Sequence, residues 1–434
     1  MPVHIVVGLQ WGDEGKAKAL DVLSEDCDLV VRYAGGANAG HTVVVGGERF
    51  AFHLVPCGVV RPDVVSVVAN GVAFEPQVFF KELDELDERG RAVGPERLRV
   101  SERAHLVMPY HRLLDGLAER EKGDAALGTT VRGIGPCYAD KAARVGLRVG
   151  DLFRPEHFRT RVRARVEELN VLLAHRYGES ALDAEAVAGE MLALAPRLEP
   201  YVTDTVAYLA EAVRAGRRIL FEGAQAALLD IDLGTYPYVT SSNASACGAA
   251  AGAGVSPRAI GRILGVTKAY TTRVGAGPFP TEIEGAEGDA IRERGGEYGT
   301  TTGRPRRCGW FDAVAARYAA RVNGIDAFVL TKLDVLGGCE RVRIATAYRI
   351  GGRTIPHFPS HVEDLAAAEP VYEELDGWSE DITGARRVED LPAAARRYLE
   401  RVTGFLEVPC AMVSVGKDRA ETVIPSTGKE LAWS

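Results

Sequence analysis

The sequence predicts an α/β fold: a single large domain, residues 1–434, around a mainly parallel central sheet with a P-loop-like phosphate loop. Three observations predict it. Short, nearly continuous apolar and β-branched runs recur at residues 4–8, 28–33, 64–69, 218–221, 327–331, 342–348 and 411–415, as in strands covered on both faces. Helical periodicity lies between them: Phe158, Val162, Val166, Leu169 and Leu173 form one apolar stripe, with Pro155 near its start. The first strand also runs directly into a glycine-rich turn. Alternating strands and helices favour a parallel sheet.

Composition narrows the function classes. The formal net charge is -8 over 434 residues, which disfavours the phosphate contacts of a polynucleotide-binding protein. No apolar run reaches the length of a membrane span. The start of the chain reads as a strand, without the pattern of a secretory signal. Seven scattered cysteines, with no C-x-x-C pair, read as reduced thiols in a cytoplasmic protein. The arginine-rich stretch 391–401 reads as a solvated helix, and the glycine-rich segments 275–280 and 295–303 as loops of an active site.

The first turn, from Gly8 to Lys16, carries Gly12, Asp13, Glu14 and Gly15. Backbone N–H groups in such a turn can cradle phosphate, and Lys16 adds a charge. The other reading is a purely structural turn, since Ala17 stands where a standard loop has Ser or Thr. Asp13 would repel bound polyphosphate unless a cation intervened. Magnesium resolves that conflict, because it favours a few carboxylates together with phosphate oxygens. A second loop, 32–42, ends in Asn38-Ala-Gly40-His41-Thr42 beyond another strand, where open α/β sheets bind ligands. There His41 reads as an acid or donor to a phosphate.

Late in the chain, a strand ends in Thr331-Lys332-Leu333-Asp334. A carboxylate there can accept two hydrogen bonds from guanine, whereas adenine offers an acceptor at the matching ring position. Paired with the phosphate loop, this makes GTP the leading nucleotide. The arginine loop, residues 299–307, sets Arg304, Arg306 and Arg307 among Gly and Thr, a combination suited to a carboxylate or phosphate ligand.

Taken together, these segments resemble adenylosuccinate synthetase along nearly the whole chain. The resemblance is carried by QWGDEGK at 10–16, NAGHT at 38–42, RGIGPCYADK at 132–141 and FEGAQ at 221–225. It continues through TYPYVTSSN at 235–243, KAYTTRVGAGPFPTE at 268–282, TTGRPRRCGWFD at 301–312 and TKLDVL at 331–336. It implies a homodimeric ligase in which GTP phosphorylates the 6-oxygen of IMP and the amine of L-aspartate displaces that phosphate. It implies Asp13 as base and, with the Gly40 carbonyl, as magnesium ligand, and His41 and Lys16 as further catalytic residues. Asn38, Thr130, Gln225, Thr240 and Arg304 match IMP contacts, and Arg144 matches an arginine reaching the partner subunit's IMP. Thr301, Thr302 and Arg304 match the aspartate loop. Gly12, Glu14, Gly15, Lys16, Ala17, Gly40, Thr42, Arg306, Lys332, Asp334, Gly416 and Lys417 match the GTP site.

Ala17, Ala37, Val131, Ala226, Ala227 and Leu233 depart from the family's usual residues. At a glycine position an added Cβ matters where the backbone is left-handed or touches ligand. These departures suggest a reshaped acceptor pocket, with IMP used at a raised KM. They also raise two alternatives: a paralogue using a modified purine nucleotide, and a catalytically dead GTP-binding regulator.

Overall fold

The first strand, β1 (Val3–Gly8), is buried at every residue. Its side chains divide by alternation: Val3, Ile5 and Val7 enter one apolar cluster and Val6 the other. Phe328 and Leu330 part in the same way from Ala327 and Val329. A strand covered on both faces must be apolar throughout, so these runs lack the polar alternation of half-exposed strands. Each aliphatic side chain so buried contributes about 1.5–3 kcal/mol.

The structure, a computed structural model, describes residues 3–45, 48–123, 128–299 and 303–425. Nine further strands complete the central sheet: β2 (Leu29–Arg32), β3 (Val65–Val68), β4 (Leu98–Ser101), β5 (Val202–Thr203), β6 (Ile219–Glu222), β7 (Ile260–Lys268), β8 (Ala327–Thr331), β9 (Cys410–Ser414) and β10 (Thr422–Val423). The spatial order is β10-β9-β8-β7-β1-β6-β2-β3-β4-β5. Neighbours pair parallel throughout, except for antiparallel β9 and β10. The expected mainly parallel α/β architecture is the one found.

In the helix Pro155–Leu172, Phe158, Val162, Val166 and Leu169 are buried and proline occupies the first turn. Three expectations are corrected. Residues 342–348 fall in the strand Arg341–Ile350 of a separate four-stranded sheet, where Val342 and Ile344 are buried while Arg343 pairs with Glu374 outside. Stretch 391–401 belongs to the helix Ala393–Leu406, which buries Ala395, Tyr398, Leu399, Val402 and Leu406 and exposes only its other face. Strands β4 and β7 were not anticipated, because Arg99, Arg262 and Gly265 interrupt their apolar character.

The chain reverses direction across the sheet at β1, whose neighbours are β6 and β7. Such a switch point opens a crevice at the carboxyl ends of the strands. The Gly8 turn, the His41 loop, Gln225, Arg273 and Lys332 all follow the ends of β1, β2, β6, β7 and β8 or short extensions of them.

Candidate active site

A cleft of about 460 Å³ opens along that edge. Its lining includes Gly12, Asp13, Gly15, Lys16, Ala17, Asn38, Gly40, His41, Thr42, Thr130, Gln225, Thr240, Arg304 and Arg306, drawn from segments spread over most of the chain. Thr301 and Thr302 lie outside the described residues.

The turn after β1 takes its shape from left-handed backbone at Gly12 (φ 90°), Asp13 (φ 59°) and Gly15 (φ 78°). Two of the three are glycine, which adopts this region without steric cost, and aspartate is among the side chains that tolerate it. Glu14 braces the turn from beneath. Its fully buried carboxylate accepts the N–H groups of Gln10 (3.1 Å) and Gly12 (2.9 Å) and pairs with Lys16 Nζ at 2.6 Å. A Cβ on Gly8 would collide with it. The side chain of Glu14 does not line the cleft, so the nucleotide contact expected of Glu14 falls to its backbone. Gln10 ties the turn to β7 by accepting the N–H of Lys268 (3.2 Å) and donating to the Tyr270 carbonyl (3.0 Å).

Asp13 reaches the cleft about one-third exposed, with Arg306 Nε 2.8 Å from its Oδ2. Asp13 and Gly40 on the same cleft offer hard oxygen ligands, a donor set that fits magnesium.

His41 opens the strand His41–Val45 and is nearly buried. Its Nδ1 lies 2.6 Å from Oε1 of Glu222, at the end of β6, and the Cys57 N–H donates to the other oxygen at 2.7 Å. Burial alone would raise the Glu222 carboxyl, but the His41 pair and nearby Arg32 hold it below its ordinary value. The carboxylate fixes the ring so that Nε2 is left for a ligand. Sequence reasoning missed Glu222, although FEGAQ contained it. Glu222→Gln is expected to lower kcat by about 10- to 100-fold, the usual cost of losing such an orienting partner. Steady-state kinetics checks this, and near-parental kcat would refute the orienting role.

Asn38 Oδ1 and both amide atoms of Gln225 are buried without a hydrogen-bond partner among the described residues. Buried polar atoms are normally paired, so a cleft that leaves three open is shaped for a polar ligand. Arg273 also lines the cleft, donating to Thr235 Oγ1 (3.1 Å) and lying over the Trp11 ring. Burial, with Arg307 nearby, lowers its pKa to about 9.

Beyond the cleft proper lie Lys332, Asp334, Gly416 and Lys417, which do not line it. Lys332 (φ 56°) donates to the Gly295 carbonyl and to Glu297 at 2.8 and 2.7 Å. Asp334 Oδ1 is buried and unpartnered among the described residues, and burial raises the carboxyl against the opposing pull of Lys332 and Lys18. Lys18 donates to Ser414 Oγ, the Gly416 carbonyl and the Glu421 carbonyl at 2.7–2.9 Å, joining the helix of the first turn to the loop carrying Gly416. Arg144 is exposed at the end of the helix Ile134–Ala143 and does not line this cleft.

Of the departures from the family pattern, only Ala17 lines the cleft, and its backbone is helical. Ala226 and Ala227 are fully buried, with Ala227 inside a core cluster, and Ala37 and Leu233 also lie away from the lining. The expected reshaping of the acceptor pocket by these positions is thus corrected. Val131 is different: a β-branched residue at φ 52°. Left-handed backbone costs such a residue roughly 1–2 kcal/mol. Val131→Gly should raise stability by about 1 kcal/mol and, by relaxing the loop that carries Thr130, lower KM for IMP. A melting curve that fails to shift upward would contradict this.

A parallel sheet with polar groups gathered from successive strand ends around a switch point defines an α/β protein built to hold a polar ligand at that edge. The family model for adenylosuccinate synthetase matches residues 5–423. Adenylosuccinate synthetase of Carboxydothermus hydrogenoformans is 52% identical over 98% of this chain and 99% of its own length, and that of Heliobacterium modesticaldum is 52% identical over 96% and 98%. The solved structure of fully ligated adenylosuccinate synthetase from Plasmodium falciparum superposes with a TM-score of 0.92 at 37% identity, covering 98% of this chain and 100% of that one. A cyanophage S-2L succinoaminodeoxyadenylate synthetase, bound to dGMP and dATP, shares the fold at a TM-score of 0.61 and 21% identity, covering 99% and 97%.

The chain belongs to the adenylosuccinate synthetase family. It is a GTP-dependent, magnesium-using ligase that joins L-aspartate to IMP to give adenylosuccinate; use of a modified nucleotide is not favoured. Among the described residues no helix is long and apolar enough to cross a membrane.

Proposed function

We propose that residues 1–434 act as one catalytic domain in which two successive reactions share the cleft. Asp13 takes the N1 proton of IMP, leaving a nucleophilic 6-oxygen that attacks the γ-phosphorus of GTP. GDP departs, and 6-phosphoryl-IMP forms. The aspartate amine then attacks C6 and expels phosphate, a far better leaving group than a hydroxide-like oxygen. Asp13 and the Gly40 carbonyl hold the magnesium, which neutralises phosphate charge when bound. His41, oriented by Glu222 and carrying protons on both ring nitrogens, donates its Nε2–H to the transferring phosphoryl group. Lys16 and the backbone groups of Gly12, Glu14, Gly15, Ala17, Gly40 and Thr42 form the phosphate loop's grip.

The observation that carries this reading is the set of unpartnered buried polar atoms. Asn38 and Gln225 leave open the contacts assigned to IMP, and Asp334 leaves open the one assigned to guanine. Thr130, Thr240 and Arg304 complete the IMP wall, while Thr301, Thr302 and Arg304 take aspartate. Arg306, Lys332, Gly416 and Lys417 complete the GTP end. Arg144, exposed on its own subunit, serves the partner's IMP in a homodimer located in the cytoplasm. The test follows GDP release by the purified protein with GTP, magnesium, aspartate and IMP. Sustained release over many turnovers that requires both IMP and aspartate supports the reading. Sustained release indifferent to either would defeat it.

A further inference from the structure

Glu297 lies in none of the motifs that carry the family resemblance, and it does not line the cleft. It is nevertheless completely buried, and three cations converge on its carboxylate. Its Oε1 accepts from Lys332 Nζ (2.7 Å), Tyr270 OH (2.5 Å) and Lys268 Nζ (3.3 Å), and its Oε2 pairs with Arg306 Nη1 (2.6 Å). Burial opposes its ionisation, but the three cations hold its carboxyl well below the ordinary range. Gly295 leaves the room: a Cβ there would strike the Tyr270 hydroxyl.

The backbone of Glu297 forms the base of the arginine loop. Its carbonyl accepts the Arg306 N–H at 2.9 Å, and one step further in, the Gly299 N–H meets the Arg304 carbonyl at 2.8 Å. One residue thus closes the loop, clamps Arg306 against the strand end of Lys268, and holds Lys332 through the same carboxylate. Arg306 in turn reaches Asp13.

We propose that Glu297 is a positioning residue for both GTP and aspartate, setting Arg306, Lys332 and the base of the arginine loop as one unit. This rests on the reading that Arg306 and Lys332 meet GTP and that Thr301, Thr302 and Arg304 meet aspartate. The cluster holds three cations against the carboxylates of Glu297 and Asp13, so it keeps one positive charge over for the incoming anions. A purely structural Glu297 would affect stability and leave the Michaelis constants alone.

The test uses the full chain, with KM measured separately for GTP, aspartate and IMP in Glu297→Gln, Lys332→Met, their double variant and Tyr270→Phe. Glu297→Gln should raise KM for both GTP and aspartate by about tenfold or more, the scale of a lost charged hydrogen bond, with a smaller rise in KM for IMP through Arg304. In the Lys332→Met background it should add less than its full effect to KM for GTP, because the Lys332 contact is already gone and only the route through Arg306 remains. Tyr270→Phe removes a single hydrogen bond and should shift both constants in the same direction by a few-fold. Unchanged KM values in Glu297→Gln, or full additivity in the double variant, would overturn the proposal while the GTP-site reading stands. Should Glu297→Gln not fold, unchanged constants in Tyr270→Phe would overturn it instead. An unchanged KM for GTP in Lys332→Met defeats the site reading itself and this inference with it.

Discussion

Asp13→Asn should lower kcat by about 100- to 10,000-fold, the range for removal of a general base, while leaving the fold intact. Asparagine is the informative replacement because Asp13 sits at φ 59°. Asn tolerates left-handed backbone at least as well as Asp, whereas Ala would add a steric cost of roughly 1–2 kcal/mol and blur the result. The pair with Arg306 is partly exposed, so its loss should cost stability no more than about 1 kcal/mol. Arg306 keeps its second carboxylate at Glu297 and should stay in place. Reduced kcat with an unchanged melting temperature assigns the effect to proton removal and magnesium binding. Turnover near that of the parent would remove Asp13 from the chemistry.

Why was so much of this site legible in the sequence? The segments that follow β1, β2 and β8 announce themselves as glycine-rich or charged interruptions of apolar runs, and in a parallel sheet such interruptions fall at the ligand-binding edge. The invisible part consists of contacts between distant residues. Glu222 and His41 are 181 positions apart, and nothing local in either segment marks them as partners. Glu297 sits in a loop and looks like a solvated carboxylate until the strand ends of Lys268 and Lys332 are placed beside it. Glu14 shows the opposite: it lies in the motif, but the turn folds its side chain under rather than out. The same limit applied to the fold. Residues 342–348 are as apolar as a central strand, and only the pairing with Glu369–Asp376 shows that they belong to another sheet. The departures at Ala226 and Ala227 invited a functional reading because they neighbour Gln225 in sequence; the chain turns Gln225 into the cleft and buries both alanine side chains away from its lining.

Replacing Asp334 with Asn should exchange the base preference of the enzyme. Asp334 Oδ1 is buried with no hydrogen-bond partner among the described residues, an arrangement that costs free energy unless a ligand supplies a donor. Guanine supplies two, its ring N1–H and its 2-amino group, and a carboxylate accepts both. Adenine presents an acceptor at N1, so ATP should support the parent enzyme far less well than GTP, by a factor approaching the 10,000-fold or so seen when a buried hydrogen-bonding site meets an analogue that lacks the group. An asparagine at 334 keeps one acceptor for N1–H and turns its amide N–H toward C2. There it opposes the amino group of guanine but meets the carbonyl oxygen of xanthine. GTP should therefore weaken by about 10- to 100-fold, the value of a lost charged hydrogen bond plus an unpaired donor, while xanthosine triphosphate gains. Lys332 is held by Glu297 and the Gly295 carbonyl rather than by Asp334, so the surrounding base site should survive the substitution. The measurement is phosphate release with IMP and aspartate present, run with GTP, ATP and xanthosine triphosphate on parent and variant. Equal use of GTP and ATP by the parent, or a variant that loses GTP without gaining xanthosine triphosphate, would show that Asp334 does not read the base.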